Sequence, residues 1–401
     1  MLPRHRIIAV LLALVVSLFV CFTHLNRNLT PALPYTYTYM TVATTASREI
    51  INATLGFQRI FAINLPARSD RRDAMTLAAA LSGLEITWVN GVAGQDVPDK
   101  VLPGDPESRQ GGLTVGSKGC WRAHMDVLQR IVRENITSAL ILEDDADWDV
   151  RLKAQMQVFA QAARAFTQPL QGQPLSEQYR QGPQPELPFA KLPHRNLRPS
   201  LSAYGDDWDL LWLGHCGTDF PAAQAPSKPP PLRVTIENDM TVPSHQHLKP
   251  HPFALRDDLA EKYPPHTRVV HASSGTTCTQ AYAVSRKGAR KLLWQFGVET
   301  MTAGWDLMLR DWCDRLYEHP AGSNPNPAEA TSRRRAPVCV TVQPPLFTHH
   351  YGKGAASDIT AAGGGFVNRD KEMTPYVRLS VRLNMGRLVN GEPPVDQWED
   401  G

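Results

Sequence analysis

Five carboxylates fall within seven positions, directly after a short apolar run, in the segment 139–149 (ALILEDDADWD). If the apolar run is a buried strand, its tip brings these carboxylates to the edge of a sheet, and ligands of open parallel sheets bind at the carboxyl ends of strands. Neighbouring carboxylates repel one another unless a positive charge compensates them. Mg²⁺ or Mn²⁺ is the simplest compensation, because both ions prefer oxygen ligands and often take only one or two from the protein.

Asp145 and Asp147 form a compact Asp-x-Asp pair, and we predict that they are metal ligands. Glu143 and Asp144 could serve instead, or they could hold the ribose of a nucleotide and the ligating loop. The competing interpretation is a solvated turn in which Asp147 or Asp149 caps the helix that follows.

The elements that must position these acids predict an α/β protein. RIFAINL is a short apolar strand from Arg59, helix formers follow Ser69, and ITWVNGV is a second strand, so the body opens β-α-β. This order is typical of a parallel sheet. Residues 120–135 have the apolar spacing of an amphipathic helix, and further strands are predicted within 208–214 and 278–285. We therefore predict a single domain of the α/β class with a mostly parallel central sheet.

The amino-terminal residues predict a membrane anchor. Arg4 and Arg6 precede an uncharged apolar run at 7–22, which as a helix spans about 24 Å, slightly less than the ~27 Å of an early-secretory bilayer. A cleaved signal peptide has the same layout, although no clear small-x-small cleavage site follows. The arginines predict a cytosolic tail at 1–6 and a single-pass type II protein with a luminal body, in the Golgi or endoplasmic reticulum membrane.

The rest of the chain divides by composition. We predict a stem at 23–56, the catalytic body at 57–353 and a poorly structured tail at 354–401. Within the body, stretches rich in proline predict flexible insertions at 167–204, 221–265 and 319–336.

Several features agree with a luminal body. Glycosylation sequons begin at Asn28, Asn52 and Asn135. Five cysteines follow the apolar run, and in an oxidising compartment their odd number leaves at least one unpaired. No CxxC pair occurs, which disfavours a zinc cluster. The net charge of +3, without a basic stripe, argues against nucleic acid as a partner.

The chain resembles glycosyltransferase family 25, in particular a membrane-anchored member of the fungal type. The resemblance is carried, in matching order, by Ile60–Arg72, Gly119–His124 and Leu140–Asp145, with weaker matches at Trp208–Gly214 and Trp305–Asp306. The family contains lipooligosaccharide and collagen galactosyltransferase-like proteins. It implies a GT-A-like fold, a nucleotide-sugar donor such as UDP-galactose, a divalent metal (Mn²⁺ or Mg²⁺) and inversion at the sugar carbon.

The resemblance also implies roles for single residues. The donor's base and diphosphate would lie after the first strand, where arginine suits phosphate because its planar fork donates paired hydrogen bonds. The residues predicted to bind the donor are Asn64, Arg68, Arg71, Arg72, His124, Glu143 and Asp144. The arginines could instead be ordinary exposed charges, and a histidine on the apolar face of a helix is often a core residue.

Two later motifs complete the predicted site. Asp306 could act as a general base toward the acceptor hydroxyl, with Asp311 as a weaker candidate and helix capping as the alternative. His349 could complete the metal shell, and His350 could replace it.

We therefore predict a glycosyltransferase that transfers a hexose, galactose from UDP-galactose in the favoured case, to a hydroxyl of a glycan or glycoprotein. Two alternatives stay open. One is a glycoside hydrolase that uses the same carboxylates and needs neither metal nor nucleotide. The other is a catalytically inactive binding protein on the same fold.

Overall fold

The computed structural model describes the following residues: 50–109, 113–170, 173–174, 186–192, 199, 201–223, 231–248, 258–317, 336–353 and 371–400. The predicted cytosolic tail, the membrane anchor and the stem up to residue 49 lie outside these ranges, as does the sequon at Asn28. Within the ranges described, no helix combines the length and the apolar character that a membrane crossing requires.

The helices in the described part of the chain are α1 (Ser69–Leu81), α2 (Val115–Arg133), α3 (Leu152–Thr167), α4 (Asp258–Lys262), α5 (Arg286–Trp294), α6 (Trp305–Cys313) and α7 (Met385–Val389). The strands are β1 (Arg59–Asn64), β2 (Thr87–Asn90), β3 (Ser138–Glu143), β4 (Ala146–Trp148), β5 (Pro169–Leu170), β6 (Gln173–Pro174), β7 (Glu186–Pro188), β8 (Leu210–Gly214), β9 (Arg233–Ile236), β10 (Arg268–Ala272), β11 (Ala281–Ser285), β12 (Cys339–Gln343) and β13 (Phe347–His349).

The β-α-β opening is confirmed, and α2 begins earlier than the sequence pattern indicates. Thr114 accepts a hydrogen bond from the backbone N–H of Ser117 at 3.1 Å, an N-cap that starts the helix at Val115 rather than at residue 120. α2 also lies unusually close to the loop after β2. A Cβ added to Gly119 would come within 2.3 Å of the Val92 carbonyl oxygen, so the contact needs glycine.

The predicted α/β class is confirmed, but the prediction of a mostly parallel sheet is wrong. The main sheet has eleven strands in the order β2-β1-β3-β11-β8-β12-β10-β9-β7, with β13 joined to β8 and β4 joined to β13. β11 runs antiparallel to both of its neighbours, β3 and β8, and β10 is antiparallel to β12 and β9. A strand buried on both faces reads as a continuous apolar run in either direction, so the sequence could not reveal these reversals.

Helices cover both faces of the sheet. Leu142 and Met75 belong to the apolar cluster that joins one face to α1 and α3. Ile141, Trp121 and Leu309 belong to the cluster that joins the other face to α2, α5 and α6. Because side chains alternate along β3, the acids at its tip also divide between the two faces.

Two disulfides join Cys216 to Cys278 and Cys313 to Cys339, and Cys120 is free among the described cysteines. The expectation of at least one unpaired cysteine is therefore confirmed. The first disulfide ties the residues after β8 to the residues before β11.

Several segments predicted to be flexible or peripheral contribute to the folded body. β7 and β9 fall inside the predicted insertions at 167–204 and 221–265 and pair with each other. The single proline of β7, Pro188, is tolerated because this strand lies at the sheet edge. The last stem residues also belong to the body, since Leu55 is buried in the core. The insertion predicted at 319–336 lies outside the described residues except for its last position.

The predicted tail at 354–401 also differs from expectation. Residues 371–400 pack against β4, and Thr374, Val377 and Ser380 are buried there. The contacts are mainly single hydrogen bonds to buried carboxylates, which leave no hydrophobic period for sequence reasoning to detect.

Candidate active site

The acidic segment Glu143–Asp149 divides into two halves. Its open half, Glu143–Asp145, comprises the end of β3 and the turn that follows. Its buried half, 146–149, begins with β4, which pairs antiparallel with β13. The side chains of the open half contact residues from several elements, whereas the side chains of the buried half contact mainly the carboxyl-terminal segment.

Arg71 bridges the two aspartates of the open half. Its Nη1 lies 2.9 Å from Asp144 Oδ1 and 2.7 Å from Asp145 Oδ2. Asn64, at the end of β1, donates from Nδ2 to Asp144 Oδ2 at 2.8 Å. The structure therefore brings together three predicted donor-binding residues, Asn64, Arg71 and Asp144, with Asp145, the predicted metal ligand.

Asp145 is the most informative carboxylate of the open half. Its Oδ1 is buried and has no hydrogen-bond partner among the described residues, while its Oδ2 also lies 3.7 Å from His349 Nδ1. Burial raises the pKa of Asp145, but the nearby His349, Arg71 and Arg382 outweigh burial, so this pKa lies below its usual value. An ionised carboxylate with an unsatisfied buried oxygen is a candidate ligand for something positive.

Glu143 points to the opposite face of the sheet, toward α2 and α6. Its Oε1 accepts a hydrogen bond from the Thr279 hydroxyl at 2.5 Å and lies 3.9 Å from His124 Nε2. Burial and the charge of Asp145 raise the pKa of Glu143 to about 8, and the charge of Asp306 adds to this effect. Glu143 and Asp306 thus belong to the same electrostatic environment.

His124 lies behind Glu143 rather than at an open surface. Its Nδ1 is 2.8 Å from the Tyr282 hydroxyl, and its ring stacks on Trp305 with a centroid distance of 4.9 Å. Burial lowers the pKa of His124 to about 3, so its ring is neutral. These contacts agree with the core alternative for His124, and its donor-binding role stays a prediction.

Asp306 lies in the first turn of α6. Its Oδ2 accepts a hydrogen bond from the backbone N–H of Cys278 at 3.0 Å. A helix amino terminus favours a negative charge at this position. The arrangement keeps one carboxylate oxygen of Asp306 engaged with the protein on the same side of the sheet as Glu143.

The two other arginines predicted to bind the donor, Arg68 and Arg72, contact residues outside the acidic segment. Arg68 forms a bidentate ion pair with Asp70, with distances of 2.9 Å and 2.7 Å. The Arg72 guanidinium lies over the Trp88 ring, 4.6 Å from its centroid. Consecutive helical residues point about 100° apart, so Arg71 and Arg72 cannot both face the acids.

The buried half holds Asp147, the second predicted metal ligand, and its oxygens are engaged by protein donors. The Oδ1 of Asp147 accepts hydrogen bonds from the backbone N–H groups of Trp148 and Arg382. Its Oδ2 accepts from the hydroxyls of Thr374, at 2.6 Å, and Ser380. The side chain is fully buried, and four protein donors satisfy both of its oxygens. Asp147 is therefore a structural carboxylate.

Asp149 is structural as well. It accepts two hydrogen bonds from the Arg151 guanidinium and one from the backbone N–H of Leu379. Asp149 Oδ1 also accepts a hydrogen bond from the backbone N–H of Arg151, the residue just before α3. The Asp149 side chain thus stabilises the turn before α3, whose N-cap residue is Arg151, while the open half has a different environment.

Sequence reasoning missed Arg382, Thr279 and Gln280. Arg382 donates to the carbonyl oxygens of Asp144 and Ala146, at 2.6 Å and 3.0 Å, and so fixes the acidic turn from the carboxyl-terminal segment. Thr279 binds Glu143. No spacing or composition signal distinguishes these residues, because each acts through a long-range contact.

The open half fits a divalent cation that takes few ligands from the protein. The orphaned Asp145 Oδ1 and the neighbouring His349 ring offer an oxygen and a nitrogen donor, with the remaining positions left to water and phosphate. The described residues contain no group of three side chains that could hold a metal alone. His350 is less suited, since its Nδ1 lies 3.2 Å from the Thr374 hydroxyl, beside the buried Asp147.

Comparison with known proteins identifies the class to which this site belongs. Residues 57–219 match the family described as Glycosyltransferase family 25 (LPS biosynthesis protein). Procollagen galactosyltransferase 1 of Danio rerio is 30% identical over 120 residues, 28% of this chain and 20% of that protein. A glycosyltransferase 25 family member of Anopheles gambiae is 35% identical over 101 residues, 23% of this chain and 17% of that protein.

Inactive glycosyltransferase 25 family member 3 of Homo sapiens is also similar, with 30% identity over 115 residues, 26% of this chain and 19% of that protein. The matched stretches span about a fifth of the length of these relatives. Residues 57–219, which include Asn64, Arg71 and the whole acidic segment, are similar to glycosyltransferase family 25.

Proposed function

We propose that the protein transfers a hexose from a nucleotide sugar to a hydroxyl of a glycan or glycoprotein, and we favour galactose from UDP-galactose. The observation that carries this proposal is the open half of the acidic segment. It joins an arginine, an amide and an aspartate with an unsatisfied buried oxygen inside the region matched by the family. The galactosyltransferase names of several relatives support the choice of sugar.

The donor diphosphate would bind between Arg71 and Asp145. Arg71 already contacts both aspartates, so an incoming diphosphate would share the guanidinium as a charge-assisted acceptor. Mn²⁺ or Mg²⁺, held by Asp145 and His349, would neutralise the charge of the leaving diphosphate. Asn64 keeps Asp144 in place beside them.

The reaction requires a base for the acceptor. In the proposed step the acceptor oxygen forms a bond to the anomeric carbon, and the bond from that carbon to the diphosphate oxygen breaks with inversion. The acceptor proton passes to a carboxylate, for which we propose Asp306. Nucleoside diphosphate leaves with the electron pair of the broken bond, so the charges balance.

A luminal, membrane-anchored location in the Golgi or endoplasmic reticulum is part of the proposal. The two disulfides are consistent with an oxidising compartment. The sequon residues Asn52 and Asn135 are exposed, as glycan attachment would require.

A donor panel tests the proposed function. The full chain is incubated with nucleotide sugars in the presence of Mn²⁺, and the release of nucleoside diphosphate is measured with and without a chelator. We expect UDP-galactose to turn over fastest and the chelator to suppress turnover. Turnover of a different nucleotide sugar alone would refute the galactose assignment and leave the transferase class intact.

Two results would refute the transferase itself. A folded chain that neither binds nor turns over any nucleotide sugar would favour the inactive alternative, to which the human relative gives a precedent by its name. Chelator-resistant cleavage of a simple glycoside without a nucleotide would favour the hydrolase alternative.

A further inference from the structure

Three consecutive residues before β11 connect both carboxylates on the α2 and α6 side of the site. The backbone N–H of Cys278 binds Asp306, and the hydroxyl of Thr279 binds Glu143. Gln280 follows, and its backbone oxygen accepts a hydrogen bond from the Glu143 N–H at 3.0 Å. The disulfide from Cys278 to Cys216 anchors this short run.

The Gln280 side chain shares a sheet face with Glu143. Ala281 pairs with Leu142 in the antiparallel ladder of β11 and β3, so Gln280 stands opposite Glu143. Residues directly opposite in such a ladder have side chains on the same face, with Cβ atoms about 4.5–5.5 Å apart. The Gln280 amide therefore lies beside the carboxylate of Glu143, which precedes Asp145 by two residues.

This amide lacks a protein partner for one of its polar atoms. Gln280 is only 4% exposed, and its Oε1 has no hydrogen bond within the described chain. The Nε2 makes only a 3.8 Å contact with the Cys216 sulfur, and sulfur is a weak acceptor. Buried polar side chains are normally hydrogen-bonded, and a native exception calls for an explanation.

A sugar hydroxyl would supply the missing hydrogen bond in either orientation of the Gln280 amide. A hydroxyl can donate to the carbonyl oxygen or accept from the amide nitrogen, so the conclusion does not depend on how the two atoms are assigned. An ionised phosphate offers only acceptor oxygens and would not match both orientations; a nucleotide base could, and the UDP arm of the test below separates a base from the hexose. The hexose of a donor whose diphosphate lies at Asp145 is bonded directly to that diphosphate, and Gln280 stands opposite Glu143, two residues before Asp145.

We propose that Gln280 is a specificity-determining residue that hydrogen-bonds a hydroxyl of the donor hexose, an inference that rests on the proposed function. The residue lies outside the stretch matched by the family, 57–219. Gln280 thus adds a contact to the transferred sugar that the motifs at the acidic segment do not supply.

Titration calorimetry on the full chain tests this inference with UDP-galactose and UDP, both in the presence of Mn²⁺. We expect Gln280→Met to weaken UDP-galactose binding about tenfold, the loss expected for one well-made hydrogen bond, and to leave UDP binding unchanged. Thermal unfolding should occur at the same temperature or slightly higher, because the substitution removes a buried polar group without a protein partner.

Gln155→Met is the matched control. Gln155 is also buried with an unpartnered Oε1, but it lies on α3 and donates to Thr241 at 2.8 Å. Its substitution should leave both affinities unchanged. Equal UDP-galactose binding by wild type and Gln280→Met, or an equal loss of UDP binding, would overturn the inference alone. Failure of the wild-type chain to bind UDP-galactose would overturn the proposed function and this inference with it.

Discussion

The open and buried halves of the acidic segment carry the same kind of side chain in opposite surroundings. Asp145 meets Arg71 on one side and leaves a buried oxygen without a partner. Asp147, two residues later, has both oxygens saturated by backbone N–H groups and by the hydroxyls of Thr374 and Ser380. One aspartate is therefore available to a ligand, and the other is already satisfied.

The difference shows that acid density in a sequence does not by itself define a ligand site. A carboxylate that accepts several hydrogen bonds is stable as a buried anion without any ligand. The carboxyl-terminal segment supplies those donors to the buried half, and in addition Arg382 holds the turn of the open half through two carbonyl oxygens. The buried half thus positions the open half.

The largest effect should come from Asp306, the proposed general base. We expect Asp306→Asn to reduce kcat for transfer by about 100- to 10,000-fold, the usual contribution of a general base. The asparagine oxygen can still accept the hydrogen bond from the Cys278 N–H, so folding should be preserved. Steady-state kinetics on this variant measures kcat, and calorimetry measures its affinity for UDP-galactose.

The affinity of Asp306→Asn for UDP-galactose should stay within about threefold of wild type, because the base acts on the acceptor and not on the donor. A variant that keeps full kcat would show that another group takes the proton, and Glu143 would be the next candidate.

A substitution in the buried half should lower the stability of the protein. We expect Asp147→Asn to lower the free energy of unfolding by about 2–3 kcal/mol, since hydrogen bonds to a charged group are replaced by weaker ones and one oxygen is lost as an acceptor. Urea denaturation of the full chain measures this change, with Glu85→Gln as an exposed control expected to be near zero. An unfolding free energy equal to that of wild type would contradict the structural role of Asp147.

The smallest effect should come from substitution of Arg72, in contrast to its neighbour Arg71. Arg72 lies over Trp88 and not against the acids, so Arg72→Ala should lower stability by about 0.5–1 kcal/mol, the value of an exposed cation–π contact. Transfer rates should stay within about twofold of wild type. A large loss of donor affinity in this variant would mean that Arg72, and not Arg71 alone, reaches the diphosphate.

The sequence predicted the open half better than the buried half. Asn64, Arg71 and Asp144 meet at the end of β1 and β3 as expected, because both strands are parallel neighbours whose carboxyl ends coincide. Asp147 fits the Asp-x-Asp pattern equally well, but its two hydroxyl partners lie more than two hundred residues away along the chain. Such contacts leave no local pattern.

The direction of a strand could not be predicted from the local sequence either. β11 has an apolar sequence that suits either direction, and it inserts antiparallel between β3 and β8. That insertion brings Thr279 and Gln280 beside Glu143. The missed residues Thr279 and Gln280 and part of the wrong sheet prediction therefore have one physical origin, the reversed strand β11.

The central claim is that Asp145 binds the donor, and the affinity of the full chain for UDP-galactose in the presence of Mn²⁺ tests it most directly. Calorimetry should show binding by wild type and a loss of at least about 100-fold in Asp145→Asn, roughly 2.7 kcal/mol. The variant should remain folded, because the Arg71 guanidinium keeps its contact with Asp144, and thermal unfolding checks this. Equal UDP-galactose affinity in wild type and Asp145→Asn would contradict the account.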